Sequence, residues 1–295
     1  MNRQSIERAL AKYADHKDPA VRARLAAFGP ALAAAAELSA SLSAEDAVWQ
    51  RPSDEAVAAA LRGGPSLLKS AGIQIRPEAF AAGMCRIADA LLAHLDGDEA
   101  LKRECASADL SPLASSEMVS IAASDPLAYL DACTKAWEGS EAALDRFALP
   151  AAGLTLRAFL DRYAMEATRR LELADDPITD YDRSLKCPVC GADASFAAVT
   201  PTARNGNMKR LYCGCCGASW HFERIRCAAC GTESVSDLEY VHDEGDDAHR
   251  LHLCKACGAA TPTLFSTGEA STFSPEVEAI VMTGLEDAYA QSRSA

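Results

Sequence analysis

Apolar residues at Phe80, Met84, Ile87, Leu91 and Leu95 recur at steps of three and four. That spacing puts them on one face of a helix, with Pro77 in its first turn and Gly97 at its end. The same punctuation recurs on both sides. Ala20 to Phe28 reads as a short amphipathic helix closed by Gly29-Pro30, and Ala31 to Leu42 as a second helix with Pro30 in its first turn. Ser53 precedes DEAVAAALR, a cap followed by first-turn acids, and Gly63-Gly64 stops the run. Asp125-Pro126 opens a helix towards Trp137, and Leu154 to Leu173 forms another long one. Residues 1–174 therefore predict an all-α bundle. Its scattered cysteines, Cys85, Cys105 and Cys133, read as buried core thiols.

The pattern then changes. Residues 175–186 (DDPITDYDRSLK) are polar, acidic and broken by proline, and read as a linker. Beyond it the helical period gives way to short strand-like runs: SFAAV, RLY, SWHF, DLEYV and RLHL. The tail, 271–295, returns to helix. Ser274 is its expected cap, Pro275 its first residue, and Val277, Ile280, Val281 and Leu285 share a face that needs something to pack on.

Cysteine usage sharpens this boundary. The chain has 12 cysteines, and all but the three in the helical part lie between Cys187 and Cys257. They form four Cys-x-x-Cys pairs: Cys187/Cys190, Cys213/Cys216, Cys227/Cys230 and Cys254/Cys257. Glycine follows each pair, at Gly191, Gly217, Gly231 and Gly258. Two thiolates three residues apart grip one ion when the chain turns tightly between them. Backbone N–H groups in that turn face sulfur, and the next residue needs positive φ, which glycine takes without steric cost. Two such knuckles make the closed tetrahedral site of a zinc ribbon, and iron accepts the same four sulfurs. The long–short–long spacing makes CxxCG–loop–CxxCG a repeated unit, so the knuckles pair sequentially, first with second (187–226) and third with fourth (227–270). A cross-braced pairing is the alternative. Cys215 lies between the ligands of the second knuckle, as either an incidental thiol or a reactive one beside the site. His221, His242, His249 and His252 lie near the knuckles and read as exposed or as neighbours of the sulfurs.

Charge and composition narrow the function classes. The formal net charge of −13 repels phosphate backbones, and the basic residues of the cysteine-rich segment form no stripe, so nucleic-acid binding is disfavoured. No apolar run reaches the ~18 residues that suggest a membrane span. The amino-terminal stretch MNRQSIERALAKYADHKDPA carries charges throughout and does not look like a secretory signal, so a cytoplasmic protein with reduced thiols and no membrane insertion is expected. Disulfides accordingly fit the cysteines poorly. All-thiolate sites leave no open position for water, so no hydrolytic centre is expected.

CPVCG, then LYCGCCGASWHFERIRCAACG, then LCKACGAATPTLF resemble the C-terminal region of the formate dehydrogenase accessory proteins, the FdhE family. The likeness is carried by Cys213, Cys216, Ser219, Trp220, His221 and Arg226 before Cys227, and by the order of helical domain, four knuckles and last helix. It implies two rubredoxin-like modules in which the eight paired cysteines hold two ions, iron or zinc. It also implies a non-enzymatic cytoplasmic assembly factor that acts on the molybdenum-containing formate dehydrogenase catalytic subunit during maturation. Ser219, Trp220, His221 and His252 would then stand behind the sulfurs or at a partner contact. A rubredoxin-like electron carrier and a zinc-ribbon nucleic-acid binder are the alternative readings, and a homodimer is left open.

Overall fold

A computed structural model describes residues 1–175, 182–202, 206–265 and 272–294. The helical part opens with α1 (Arg3–Lys12) and α2 (Pro19–Ser41), capped by the side chains of Asn2 and Asp18. A small antiparallel pair, β1 (Ala47–Trp49) and β2 (Ile73–Ile75), brackets α3 (Asp54–Leu61) and α4 (Leu67–Ala71). Next come α5 (Pro77–Ala93), α6 (Glu99–Ser107), α7 (Ser116–Ser124), α8 (Pro126–Ala136) and the short α9 (Glu141–Ala143). A π turn over Leu144–Ala148 leads into α10 (Leu149–Ala174). This last helix is the axis of the bundle. Ala151, Leu156, Phe159, Leu160, Tyr163, Ala164 and Leu171 are buried along it, against α2, α3, α5 and α8.

Three expectations for this part are corrected. Gly29-Pro30 does not end a helix, and α2 runs straight through Pro30. An interior proline costs roughly 3 kcal/mol. Here Val21 and Leu25 before it, and Ala31, Ala35 and Leu38 after it, are buried in two cores, and their burial outweighs that cost. Cys85 is exposed, not a core thiol. The buried face of α5 runs through Met84, Ile87 and Leu91, and a residue one step from Met84 is turned about 100° away. Cys105 and Cys133 are buried, as expected. Finally, α5 stops at His94, short of Gly97.

The cysteine-rich part contributes β3 (Phe196–Thr202), β4 (Gly206–Tyr212), β5 (Ser219–Phe222), β6 (Leu238–Val241), β7 (His249–Cys254) and β8 (Ala260–Phe265). The proline-containing β8 escapes a strand reading of the sequence, because Pro262 interrupts its run. The two repeats are not separate bodies. Their strands form one sheet in the order β5-β4-β3-β8-β7-β6, joined by a parallel β3–β8 pairing of Ala197–Val199 with Thr263–Phe265. The terminal helix, α11 (Pro275–Ser294), starts where Ser274 and Pro275 predict it. It packs on α1 and α2 on one side and on β7 and β8 on the other, so it bridges helices and sheet.

The expected linker is anchored at both described ends. Residues 176–181 lie outside the described set, but Asp175, Arg183 and Ser184 are held against the sheet and helices. The Ser184 N–H donates to the Leu61 carbonyl at 2.8 Å. Arg183 pairs with Asp175 at 2.9 Å and with Glu223 at 3.2 Å. One continuous buried cluster runs from the α5–α10 core into Val189, Leu211 and Trp220. Helical part and first repeat therefore share a core.

Candidate metal centres

All four knuckles close in the same way. The N–H groups of Gly191, Gly217, Gly231 and Gly258 donate to the carbonyls of Cys187, Cys213, Cys227 and Cys254, at 2.7–3.0 Å. The N–H of each first cysteine donates in turn to the carbonyl one residue past the glycine, Cys187 to Ala192, Cys213 to Ala218, Cys227 to Thr232 and Cys254 to Ala259. The four glycines have φ of 84°, 79°, 78° and 77°. A side chain at these positions would carry the left-handed penalty of ~1–2 kcal/mol.

The sheet brings the knuckles together in sequential pairs. The sulfurs of Cys187, Cys190, Cys213 and Cys216 lie within 4.8 Å of one another, as do those of Cys227, Cys230, Cys254 and Cys257. The short separations are Cys187–Cys216 at 3.6 Å, Cys190–Cys213 at 3.4 Å, and Cys227–Cys257 and Cys230–Cys254 at 3.8 Å. A disulfide needs about 2.05 Å. A tetrahedron with Zn–S bonds of about 2.3 Å has edges of about 3.8 Å, so the donor sets fit one tetrahedral ion each. In the third knuckle, backbone N–H groups of Ala229 and Cys230 face the Cys227 sulfur at 3.4 and 3.5 Å, which favours its thiolate form. Cys215 is half-buried and outside both groups.

The two clusters differ in their surroundings. The first is roofed by the helical part. Its four cysteines are buried, and the N–H groups of Leu67 and Leu68 donate to the carbonyls of Pro188 and Val189 at 2.9 Å. The CPVC turn thus caps α4, whose Ser66 makes no side-chain cap. Above Gly217 lies the buried guanidinium of Arg157, which pairs with Asp161 at 2.7 Å and Glu276 at 2.9 Å. Burial opposes its charge, but Glu276, Asp161 and the Cys216 sulfur together raise its pKa above the usual arginine value. In the second cluster Cys227 and Cys254 are buried, whereas Cys230 and Cys257 are exposed.

The structure separates the residues singled out around the sulfurs. Trp220 is 1% exposed, and its indole N–H donates to the Ser184 carbonyl at 3.0 Å. The Ser219 N–H donates to Thr168 on α10 at 3.2 Å. His221 bonds Asp175 through Nδ1 at 2.8 Å and faces Arg210 at 2.9 Å. The Ser-Trp-His run of β5 is thus a strip that docks the sheet onto the end of α10. His252 is buried too, stacked on Tyr240 and 3.2 Å from the Lys209 ammonium. Burial pushes the Lys209 amine down to about 8. Burial and the Lys209 charge push His252 down to about 4. Trp220 and His252 are both buried within the chain. Sequence reasoning missed Arg157 and Lys209, since neither stands within a knuckle and no local signal marks a cation that reaches its place through the fold. It also missed the role of His249, which joins Glu278 on α11 at 3.2 Å.

Helical bundle, six-stranded sheet and twin four-sulfur clusters define a cysteine-cluster protein with the clusters set between and beside helices. No family model matches the chain. Three curated relatives do, each described as a protein FdhE homolog. That of Stutzerimonas stutzeri is 25% identical over 218 residues, 62% of this chain and 69% of the relative. That of Aquifex aeolicus is 28% identical over 106 residues, 35% of this chain and 37% of the relative. That of Pseudomonas aeruginosa is 26% identical over 92 residues, 30% of this chain and 29% of the relative. The crystal structure of the FdhE protein from Pseudomonas aeruginosa shares the fold, with a TM-score of 0.57 over 98% of this chain and 90% of that one, at 14% identity. Together these matches support an FdhE-family protein.

Proposed function

We propose that this chain is an accessory protein of formate dehydrogenase maturation, not an enzyme, and that it binds the molybdenum-containing catalytic subunit. The observation that carries the reading is the pair of four-cysteine clusters set in the fold of an FdhE protein. In this reading Cys187, Cys190, Cys213 and Cys216 hold one ion, and Cys227, Cys230, Cys254 and Cys257 a second, iron or zinc. The sulfur spacings support it. Bound there, each ion would supply a four-sulfur structural centre, and the protein's own side chains do the rest. Arg157 offsets the negative charge of the first sulfur cluster, and the Ser219–His221 strip seats the sheet on the helices.

No described helix is long and apolar enough to cross a membrane. Action in the cytoplasm, before the enzyme leaves it, is part of the proposal. The acidic balance favours a protein partner over nucleic acid. The immobilised full-length chain is expected to retain the purified formate dehydrogenase catalytic subunit and to pass a heparin column at low salt. Disrupting its gene is expected to abolish formate dehydrogenase activity, with rescue by the natural chain but not by Cys→Ser pairs. A subunit that flows through, together with undiminished activity in the disrupted strain, would remove the reading.

A further inference from the structure

The two clusters offer the same four donors on opposite terms of access. Around the first, α4 donates two backbone bonds to the CPVC turn, Ser66 lies against Gly191, and the Arg157 guanidinium fills the space over Gly217. All four of its cysteines are buried. Around the second, nothing lies within 4 Å of where a Cβ on Gly258 would stand. The tip Lys255–Gly258 is exposed throughout, and so are Ala229 and Cys230. Exposed Ile225 and Val235 flank the third knuckle without covering it. Lys255 turns to Glu239 at 2.8 Å, and the cover that exists lies at Gly231, where a Cβ would meet Leu185 at 3.4 Å and Arg226 Nη2 at 3.5 Å without the overlap seen at Gly217. Of the four, only Cys227 and Cys254, the last residue of β7, are buried.

We propose that the second cluster is a metal-exchange site, which takes up and releases its ion through Cys230 and Cys257, while the first is a closed staple between sheet and helices. This rests on the reading that both clusters hold metal. The ligand class is a soft divalent ion together with any small thiol or nitrogen donor that competes for it. An attacking donor needs an open sulfur edge, and only Cys230 and Cys257 present one. On release, the competing donors replace the thiolates and the freed cysteines take protons from solvent. No electron changes hands. The first ion leaves only when α4, Arg157 and the knuckles part, so its loss follows local unfolding.

The test uses the full-length protein loaded with zinc, its two equivalents confirmed by native mass spectrometry. Pyridylazoresorcinol is added and released zinc is followed with time, with iodoacetamide pulses read by peptide mass spectrometry. One equivalent is expected in an early phase, with labelling of Cys227, Cys230, Cys254 and Cys257. The second is expected late, with labelling of Cys187, Cys190, Cys213 and Cys216. Exposed Cys85 labels throughout and serves as the control. The C230S/C257S variant should start with one equivalent and lack the early phase. R157Q should hasten the late phase and leave the early one unchanged. Release of both equivalents together, or earlier labelling of Cys187 and its partners, overturns the proposal. A protein that takes up neither zinc nor iron overturns the metal reading itself, and the wild-type labelling order decides the matter even where a variant misfolds.

Discussion

The Arg157 guanidinium occupies the space that a side chain on Gly217 would need. A cation from the middle of α10 is thereby seated on the second knuckle of the first cluster, 60 positions along the chain. The two glycines that close the clusters differ in this respect. Gly217 and Gly258 share a positive φ, but the space at Gly258 is open.

Gly258→Ala should therefore cost only the left-handed backbone penalty, ~1–2 kcal/mol. Gly217→Ala pays that and displaces the Arg157–Asp161–Glu276 pairing, where losing a buried partner costs a further ~3–5 kcal/mol. Urea unfolding of the two zinc-loaded variants measures the difference. Equal midpoints would show that Arg157 does not sit on the knuckle.

Trp220 ties the sheet to the helical part by packing and by its bond to Ser184. Trp220→Ala should cost ~3–5 kcal/mol through the cavity it leaves. Trp220→Phe should lose mainly the hydrogen bond, ~1 kcal/mol. Thermal melts give the ordering. A Trp220→Ala protein that keeps its stability but loses the partner would return this residue to a contact surface.

Docking of α11 should depend on pH on both sides of a plateau. The Glu278 carboxylate is 0% exposed and accepts from Tyr13 at 2.7 and 2.9 Å, with Lys12 at 3.4 Å and His249 at 3.2 Å. Burial alone would raise its pKa, but His249, Lys12 and Tyr13 hold it below the ordinary glutamate value of 4.5. Asp246, also facing His249, is held below 3.8, again against burial. Burial alone would lower His249, but the bond to Glu278 and the Asp246 charge raise it above 6.5. Depressed carboxylates contribute stability that is present above their unfolded pKa and lost as pH falls through the folded one. A raised histidine contributes stability that is complete below 6.5 and lost as pH rises through its folded value. The contribution of this cluster should be greatest between 4.5 and 6.5. Hydrogen exchange in α11 across that range reads it. Glu278→Gln should flatten the alkaline side. An identical profile in wild type and variant would remove the cluster from α11 docking.

Metal removal should act on the sheet before the helices. A structural ion contributes on the order of 10–16 kcal/mol of apparent binding free energy, and the knuckles that would hold both ions lie at the ends of this sheet's strands. After both ions are stripped, the sheet amides should exchange freely while α2, α5 and α10 keep protection. A stripped protein whose sheet stays protected would show that sulfur coordination is not what holds it.

Much of the fold can be read from local rules because those rules act over one or two turns. Ser53, Asp125 and Ser274 each accept a backbone N–H where helix-start chemistry puts them. Pro30 shows the limit. Its local preference is a helix break, and burial on both sides overrides it. Cys85 shows another limit, since one residue of phase decides between core and solvent and the sequence pattern blurs it.

The sequence by itself determined the register of the four knuckles, the need for glycine after each, and the mainly helical character of residues 1–174, but not the short β1–β2 pair within them. Each of these depends on bonds closed within about six residues, so local order carries them. Tertiary structure alone decided that two repeats share one sheet through β3 and β8 and that α11 spans helices and sheet. It also decided that Arg157 roofs one cluster while the other stays open. Those outcomes depend on which distant surfaces meet, and surface complementarity across the fold has no signature in the spacing of residues along the chain.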